Sequence, residues 1–238
     1  MDLSVFSHWL AQLLPAVCPL CCGILDSAAR TSFCHTCMMR ICPLPPAHCP
    51  HCALPFVHSS ATSSHLCGRC ILEPPAYSAA YAAALYEGQL RTAIQRFKFH
   101  QRPNLDRPLA GLLERTLPPD LDVDLLVPVP LHPIRLRQRT YNQALLLARE
   151  LGRLRGLPTD ADILIKCRAT DPQQALSAAQ RRQNLRGAFR LGDNVDGKAI
   201  LLVDDVMTTG VTLDLCSRTL LGGGAARVEV AVVGRAPL

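Results

Sequence analysis

Two adjacent acidic residues ahead of a threonine-rich turn offer the clearest chemistry in this sequence. Asp204 and Asp205 come directly after Ile200–Val203, four apolar residues that are typical of a strand buried on both faces. The next residues, Val206–Gly210, turn the chain before a helix that we expect to begin near Thr212. Backbone N–H groups of such a turn can point at one anion, and the dipole of the helix favours the same charge. The pattern therefore predicts a phosphate-binding loop.

The side chains of this segment suit a phosphorylated sugar. The glycine lets the backbone approach a phosphate closely, and the threonine hydroxyls can donate to phosphate oxygens. The aspartates would face a ribose diol or a Mg²⁺ ion carried by a diphosphate. An ordinary buried strand and a capped helix are the alternative, but two adjacent acids exceed what a cap requires. We predict Asp204 and Asp205 as catalytic residues and Met207, Thr208, Thr209, Gly210 and Thr212 as ligand-binding residues.

Three alternating arginines are a second candidate for anion binding. Arg135, Arg137 and Arg139 follow the apolar strand predicted at Leu125–Val129 and precede a helix predicted at Asn142–Arg155. Guanidinium groups bind phosphate oxygens bidentately, so we expect these residues to bind a diphosphate. A solvated basic turn is the alternative.

A further basic segment, Gln174–Phe189, carries Arg181, Arg182 and Arg186. It begins with small and polar residues, which would suit a mobile lid over a charged ligand.

The cysteines predict metal binding. Ten of the twelve lie between Cys18 and Cys70, and no secretion signal precedes them, so we expect a reducing compartment and metal ligands instead of disulfides. Each C-x-x-C pair presents two thiolates to a tetrahedral ion, so two pairs complete one site. Sequential pairing predicts two zinc ions, one held by Cys18, Cys21, Cys34 and Cys37 and the other by Cys49, Cys52, Cys67 and Cys70.

Several alternatives stay open for this module. Cys22 could replace Cys21 as a ligand, the role of Cys42 is undetermined, and ligand type alone also permits an iron–sulfur cluster. A thiolate could also be replaced by one of four histidines: His35, His48, His51 or His65. A module so poor in apolar residues could hardly fold without metal. The metal sites could brace the fold or contact a nucleic acid or a protein partner.

The remaining elements must position these residues. Strands alternate with helices after residue 76, which predicts an α/β domain with a mostly parallel sheet that binds its ligand at the carboxyl ends of the strands. We predict three parts: an amphipathic helix over residues 1–17, the cysteine module over 18–75 and the α/β domain over 76–238. No apolar run is long enough for a membrane span, and we expect the protein in the cytoplasm. The net charge of +6 fits phosphates or nucleic acid as partners.

The order of short motifs along the chain resembles the ComF family, bacterial phosphoribosyltransferase-like proteins with an N-terminal double zinc ribbon that are associated with natural competence and DNA uptake. The motifs are the cysteine pairs, Tyr86-Glu87-Gly88, Val127–Pro130, Tyr141–Ala144, Asn184–Phe189 and the aspartate loop. Two departures are visible: Thr140 stands where the family usually has Gly, and Cys22 and Cys42 are additional cysteines.

This resemblance implies a type I phosphoribosyltransferase-like fold that binds phosphoribosyl diphosphate with Mg²⁺. Asp204 and Asp205 would contact the ribose hydroxyls, and the Thr/Gly loop would hold the 5′-phosphate. One hypothesis is an enzyme that transfers the phosphoribosyl group to an acceptor that the sequence does not reveal. A second is a single-stranded-DNA-binding competence factor that uses the site for sensing, with DNA-uptake proteins as partners. A purely structural zinc protein is a third, disfavoured by the aspartate loop.

Overall fold

The computed structural model describes residues 16–25, 32–56, 64–99, 102–168 and 187–237. The helix predicted over residues 1–17 falls almost wholly outside these ranges, as do the arginines of the predicted lid. Across the described residues, no helix combines the length and the apolar character needed to cross a membrane.

The α/β domain predicted from the sequence is confirmed. Its strands are β1 Ala80–Leu85, β2 Leu125–Pro128, β3 Leu164–Lys166, β4 Phe189–Leu191, β5 Ala199–Met207 and β6 Arg227–Arg235. The helices are α1 His35–Met38, α2 Gly68–Leu72, α3 Gly88–Phe99, α4 Asp106–Glu114, α5 Pro133–Arg139, α6 Gln143–Arg155 and α7 Val211–Gly222, with one turn of 3₁₀ helix at Pro103–Leu105.

Four strands form a parallel sheet in the order β1-β6-β5-β2. Strands β3 and β4 pair separately as an antiparallel ribbon. Strand β1 is rich in alanine, and its residues alternate between buried and half-buried positions, as expected for an edge strand with one covered face.

Apolar side chains cover both faces of the sheet. Helices α3, α4 and α6 pack on one face, where Leu201 and Val203 of β5 lie in a core with Phe97 and Leu147. Helix α7 packs on the other face together with Ile200 and Leu202 of β5. The alternation along β5 therefore places consecutive residues in different cores.

Two boundaries differ from the predictions in ways that affect the site. Strand β5 runs on to Met207, because β6 continues beside it as far as the Met207–Arg235 pair, so the two aspartates lie inside the strand instead of after it. The three arginines, predicted in the segment between a strand and the next helix, lie on a helix of their own, α5. His132 caps this helix by accepting from the N–H of Ile134, and Pro133 occupies its first turn.

Candidate functional site

The predicted ligand-binding segments meet at one edge of the sheet. Strands β2 and β5 are parallel neighbours, with Pro128 opposite Val203, so their carboxyl ends lie side by side. The threonine loop follows β5, and the arginine helix α5 follows β2. Parallel α/β sheets bind ligands at this edge, so the sequence-predicted residues lie where the fold favours a ligand.

The threonine loop has the backbone that an anion site needs. Gly210 adopts a left-handed φ of +75° directly before α7, and a Cβ there would meet the Tyr77 hydroxyl at 3.1 Å. Thr208 is exposed, and Thr209 and Thr212 are half-buried at the start of the helix. The side chain of Met207 is 1% exposed and packs in the core, so only its main chain is available to the loop.

The two aspartates occupy different environments. They are consecutive in an extended strand, so their side chains leave opposite faces of the sheet. Asp205 is buried and forms an ion pair with Lys98 of α3, with 2.6 Å between Nζ and Oδ1. Asp204 is half-buried and accepts from the N–H of Asp205 at 2.8 Å. The sequence analysis predicted the same role for both residues, whereas the structure gives them different partners and different exposure.

Burial raises the pKa of Asp204 to about 7, and the negative charge of Asp205 raises it as well, against the opposing charges of Lys98 and Arg139. At neutral pH this carboxyl group therefore exists in both protonation states. It can accept from a ribose hydroxyl or bind a cation when ionised, and donate when protonated.

The three arginines differ in exposure because they lie on different faces of helix α5. Arg135 and Arg139 are four residues apart on α5 and share a face, on which both are half-buried, while Arg137 is exposed. The guanidinium of Arg139 lies 5.1 Å from the ring centroid of Phe99 and donates to Gln143 Oε1 at 3.2 Å. Arg135 and Arg139 are thus the better placed for a shared ligand.

Thr140, the departure from the family pattern, ends helix α5 in a left-handed conformation with a φ of +67°. Glycine adopts this conformation without steric cost, which accounts for the glycine usual in the family at this position.

Lys166 is a candidate site residue that the sequence analysis did not name. Burial lowers the pKa of Lys166, and the positive charges of Arg135 and Arg139 lower it further, while Cys216 and Asp204 oppose the shift. Its ammonium also lies 5.7 Å from the ring centroid of Phe189. Lys166 is therefore part of the same charged cluster as the arginines and Asp204. The rarity of lysine, three in a chain with twenty-two arginines, was the only signal in the sequence.

The cysteine pairs form two tetrads as predicted. One contains Cys18, Cys21, Cys34 and Cys37 and the other Cys49, Cys52, Cys67 and Cys70, and within each tetrad the sulfur atoms lie within 4.8 Å of one another. Zinc–thiolate bonds of about 2.3 Å in a tetrahedron place sulfurs about 3.8 Å apart. The Cys21–Cys34 and Cys52–Cys67 distances of 3.5 and 3.7 Å match this spacing. Both tetrads could hold a zinc ion.

Backbone N–H groups also point at these thiolates, as they do in zinc knuckles. Cys34 donates to Cys18 Sγ and Cys67 to Cys49 Sγ, at 3.5 and 3.4 Å. Cys22 and Cys42 are exposed and lie outside both tetrads, whereas Cys21 belongs to the first.

Comparison with known proteins agrees with this geometry. The model of the phosphoribosyl transferase domain family matches residues 143–237. The DNA utilization protein YhgH of Escherichia coli is 36% identical over 236 residues, covering 91% of this chain and 96% of that protein. Competence protein F of Haemophilus influenzae is 34% identical over 229 residues, covering 92% and 96%. Competence protein ComFC of Bacillus subtilis is 27% identical over 198 residues, covering 81% and 79%. The chain therefore belongs to the ComF family of phosphoribosyltransferase-like proteins.

Proposed function

We propose that this protein binds phosphoribosyl diphosphate together with Mg²⁺ at the carboxyl edge of β2 and β5, as a competence-linked member of its family. The observation that carries the proposal is that three features lie together at that edge: the loop at Gly210, the half-buried carboxyl group of Asp204, and Arg135 and Arg139 on one face of α5. Each matches one part of the ligand, namely the 5′-phosphate, the ribose and the diphosphate.

The loop would hold the 5′-phosphate through its main-chain N–H groups and the threonine hydroxyls. Helix α7 begins at Val211 directly after the loop, so the positive end of its dipole faces the same anion. Thr208, Thr209 and Thr212 lie at or near the surface of this loop, where their hydroxyls could reach phosphate oxygens.

The diphosphate would lie toward α5. Arg135 and Arg139 offer two guanidinium groups on one helix face, and Lys166 adds a third positive charge nearby. These cations would stabilise negative charge on a departing diphosphate.

The residues present fit a Mg²⁺ ion that arrives with its substrate. Mg²⁺ prefers oxygen ligands and is usually held by one or two carboxylates together with substrate phosphates. Asp204 supplies one such carboxylate, whereas Asp205 is already paired with Lys98. When bound, the ion would neutralise charge on the diphosphate.

Calorimetric titration with phosphoribosyl diphosphate, with and without Mg²⁺, tests this proposal. We expect binding by the wild type, a loss of about tenfold or more in Asp204→Asn, and unchanged binding in Asp193→Asn, an exposed acid in a remote turn. Equal affinity in the wild type and Asp204→Asn would refute the role given to Asp204, and no binding by the folded wild type would refute the site.

We further propose that the bound phosphoribosyl group is transferred to an acceptor. Incubation with phosphoribosyl diphosphate and a panel of nucleobases and amines should release diphosphate with the correct acceptor. Absence of release with every acceptor, in protein that binds the ligand, would instead favour a sensing role.

Binding of single-stranded DNA is the second candidate, supported by the names of the relatives and by one surface. Phe99 is 54% exposed beside Arg139, and Arg137 is exposed on the same short helix, so an aromatic ring and cations are available to a nucleic acid. Helix α3 also carries basic residues, but two of them have partners within the protein: Arg96 donates to the Leu20 carbonyl, and Lys98 is paired with Asp205. They are therefore less available to a nucleic acid.

Fluorescence anisotropy with a labelled oligonucleotide at 50 and 200 mM salt tests the DNA proposal. Phosphate-mediated binding should weaken steeply with salt and should weaken in Phe99→Ala. No binding at the lower salt concentration would exclude direct DNA contact.

A further inference from the structure

Two arginines outside the predicted site donate hydrogen bonds to carbonyl groups of the phosphate loop, residues 207–210. Arg235 donates through Nη1 to the carbonyls of Met207 and Thr208, at 3.3 and 2.6 Å. Arg69 donates through Nη1 to the carbonyl of Thr209 at 2.5 Å. Three successive peptide groups of the loop therefore face positive charge on this side.

Both arginines are attached to the second cysteine tetrad. Arg69 lies inside the Cys67–Cys70 pair, on helix α2. Arg235 is 1% exposed and donates through Nε to the carbonyl of Cys52 at 2.8 Å. The two side chains thus connect one cysteine pair each to the phosphate loop.

Orienting these carbonyls also orients the amides on the opposite side. In a trans peptide the C=O and N–H bonds point in opposite directions. Because the carbonyls of residues 207–209 face guanidinium groups, the N–H groups of Thr208, Thr209 and Gly210 are turned away from them. A cation behind each peptide also polarises it and favours an anion in front.

The two cysteine pairs of the second tetrad are connected to the α/β domain in different ways. The second tetrad forms a small core of its own, with Leu54 and Phe56 beside the four cysteines. A cavity of ≈ 420 Å³ lies between this core and the start of α7, lined among others by Arg69, Gly210 and Arg218. Ala53, next to Cys52, is buried in the same core as Tyr77 and Met207, whereas Arg69 of the Cys67–Cys70 pair reaches the loop beside this cavity.

Within the ranges that the structure describes, the first tetrad makes no such contact with the phosphate loop. Cys18 and Cys37 lie in the main core beside α3, and Gln89 of that helix donates to Cys37 Sγ at 3.6 Å. The two metal sites are therefore joined to different parts of the domain.

We propose that the second tetrad, through Arg69 and Arg235, positions the phosphate loop, so that metal at Cys49, Cys52, Cys67 and Cys70 controls its affinity for a phosphorylated ligand. This inference rests on the proposed phosphoribosyl site for its ligand. Arg69 and Arg235 are positioning residues, since both act through the main chain and neither touches the ligand. Loss of the metal releases the knuckle that carries Arg69, and the loop amides lose their orientation.

Hydrogen–deuterium exchange of the ligand-free, full-length protein tests the positioning role without relying on any ligand. Arg69→Ala should raise exchange at the amides of Asp214 and Ala236, which donate to the loop carbonyls of Gly210 and Met207 and are protected only while the loop is held. Arg69→Lys should restore part of the protection through a single donor. Arg218→Ala is the matched control, because Arg218 lines the same cavity but pairs with Asp214 on α7. Unchanged exchange in Arg69→Ala would overturn the proposal.

Titration with phosphoribosyl diphosphate and Mg²⁺ then measures the effect on affinity. We expect a loss of about tenfold in Arg69→Ala and less than twofold in Arg218→Ala, with thermal melts confirming that both are folded. Changed exchange with no ligand binding even by the wild type would refute the proposed function and leave the positioning role supported. Ligand binding that is equal in the wild type and Arg69→Ala would overturn control of affinity.

The metal can be tested by removing one ion at a time. Cys70→Ser and Cys21→Ser each remove a ligand from one tetrad, and metal content by mass spectrometry verifies the loss. Only Cys70→Ser should raise exchange at the amides of Asp214 and Ala236. Equal effects of the two substitutions would show that the second tetrad has no special role.

Discussion

At the scale of single residues, the environment of each acid decides its chemistry. Lys98 neutralises Asp205, whereas Asp204 is half-buried next to that charged pair and has a pKa raised to about 7 by burial and by Asp205. A carboxyl group that titrates near neutral pH can change its interaction with a ribose hydroxyl or a metal ion over a small pH range.

The raised pKa of Asp204 predicts a specific pH dependence of stability. The folded state holds this proton up to about pH 7, whereas the unfolded chain releases it near the ordinary value of 3.8. The favourable contribution is therefore fully present below pH 3.8 and is lost as pH rises through 7. Asp204→Asn should be more stable than the wild type at pH 8, by about 1–2 kcal/mol after discounting for partial exposure.

Urea denaturation at pH 5 and pH 8 measures this difference, with Asp193→Asn as the exposed control. A gain from Asp204→Asn that is the same at both pH values would show that the carboxyl group does not titrate in this range.

The ion pair between Lys98 and Asp205 predicts a large cost of removing the lysine. Lys98→Met leaves Asp205 buried without its partner, and we expect the free energy of unfolding to fall by about 3 kcal/mol at pH 7. Lys198→Met, which changes an exposed lysine, should alter it by less than about 0.5 kcal/mol. Similar effects of the two substitutions in chemical denaturation would contradict the assigned pairing.

At the scale of elements, two short segments decide the shape of the site. The arginines reach it from a seven-residue helix that begins at Pro133 and is capped by His132. The helical repeat brings Arg135 and Arg139 together and turns Arg137 to solvent.

The geometry of helix α5 predicts that Arg139 contributes more than Arg137 to diphosphate binding. Arg139→Ala should weaken binding of inorganic diphosphate about tenfold, because it removes a half-buried guanidinium from the shared face. Arg137→Ala should change the affinity less than twofold and is the control for lost net charge. Calorimetric titration compares them, and equal losses would favour the solvated basic turn that the sequence also permitted.

The loop before α7 requires glycine for two separable reasons. Gly210 has a left-handed φ of +75° and also lies where a Cβ would approach the Tyr77 hydroxyl. Gly197 has a φ of +70° but open space around it, so Gly197→Ala measures the conformational cost alone. We expect about 1 kcal/mol of destabilisation for Gly197→Ala and about 2 kcal/mol for Gly210→Ala in thermal or chemical unfolding. Equal losses would mean that Tyr77 moves aside freely.

At the scale of the whole molecule, the two tetrads of the cysteine module contact different parts of the α/β domain. The first tetrad shares the main core with α3, and the second reaches the phosphate loop through Arg69 and Arg235. The module therefore contacts helix α3, whose Lys98 pairs with Asp205, and also the phosphate loop.

The two tetrads predict two zinc ions per chain. Elemental analysis of the purified protein should find two, and Cys22→Ser and Cys42→Ser should keep both because these cysteines lie outside the tetrads. Cys21→Ser should lose one ion, with a lower melting temperature, because metal binding contributes to folding. Full retention in Cys21→Ser would mean that Cys22 takes its place.

The sequence by itself determined the features that depend on neighbouring residues. The strand, turn and helix around Asp204 and Gly210 follow from local patterning, and the C-x-x-C spacing determined both tetrads and their sequential pairing. The alternation of strands and helices determined the parallel sheet and hence the edge at which the predicted residues meet.

Only the tertiary structure decided which groups face one another across the chain. Arg69 and Thr209 are 140 residues apart, and Arg235 and Cys52 are 183 apart, so no local pattern could have paired them. Likewise, Lys98 pairs with Asp205 and not with Asp204 because α3 packs on only one face of β5. Side-chain charge and hydrogen bonding act over a few ångströms in space, whatever the distance along the sequence, and packing alone brings these groups together.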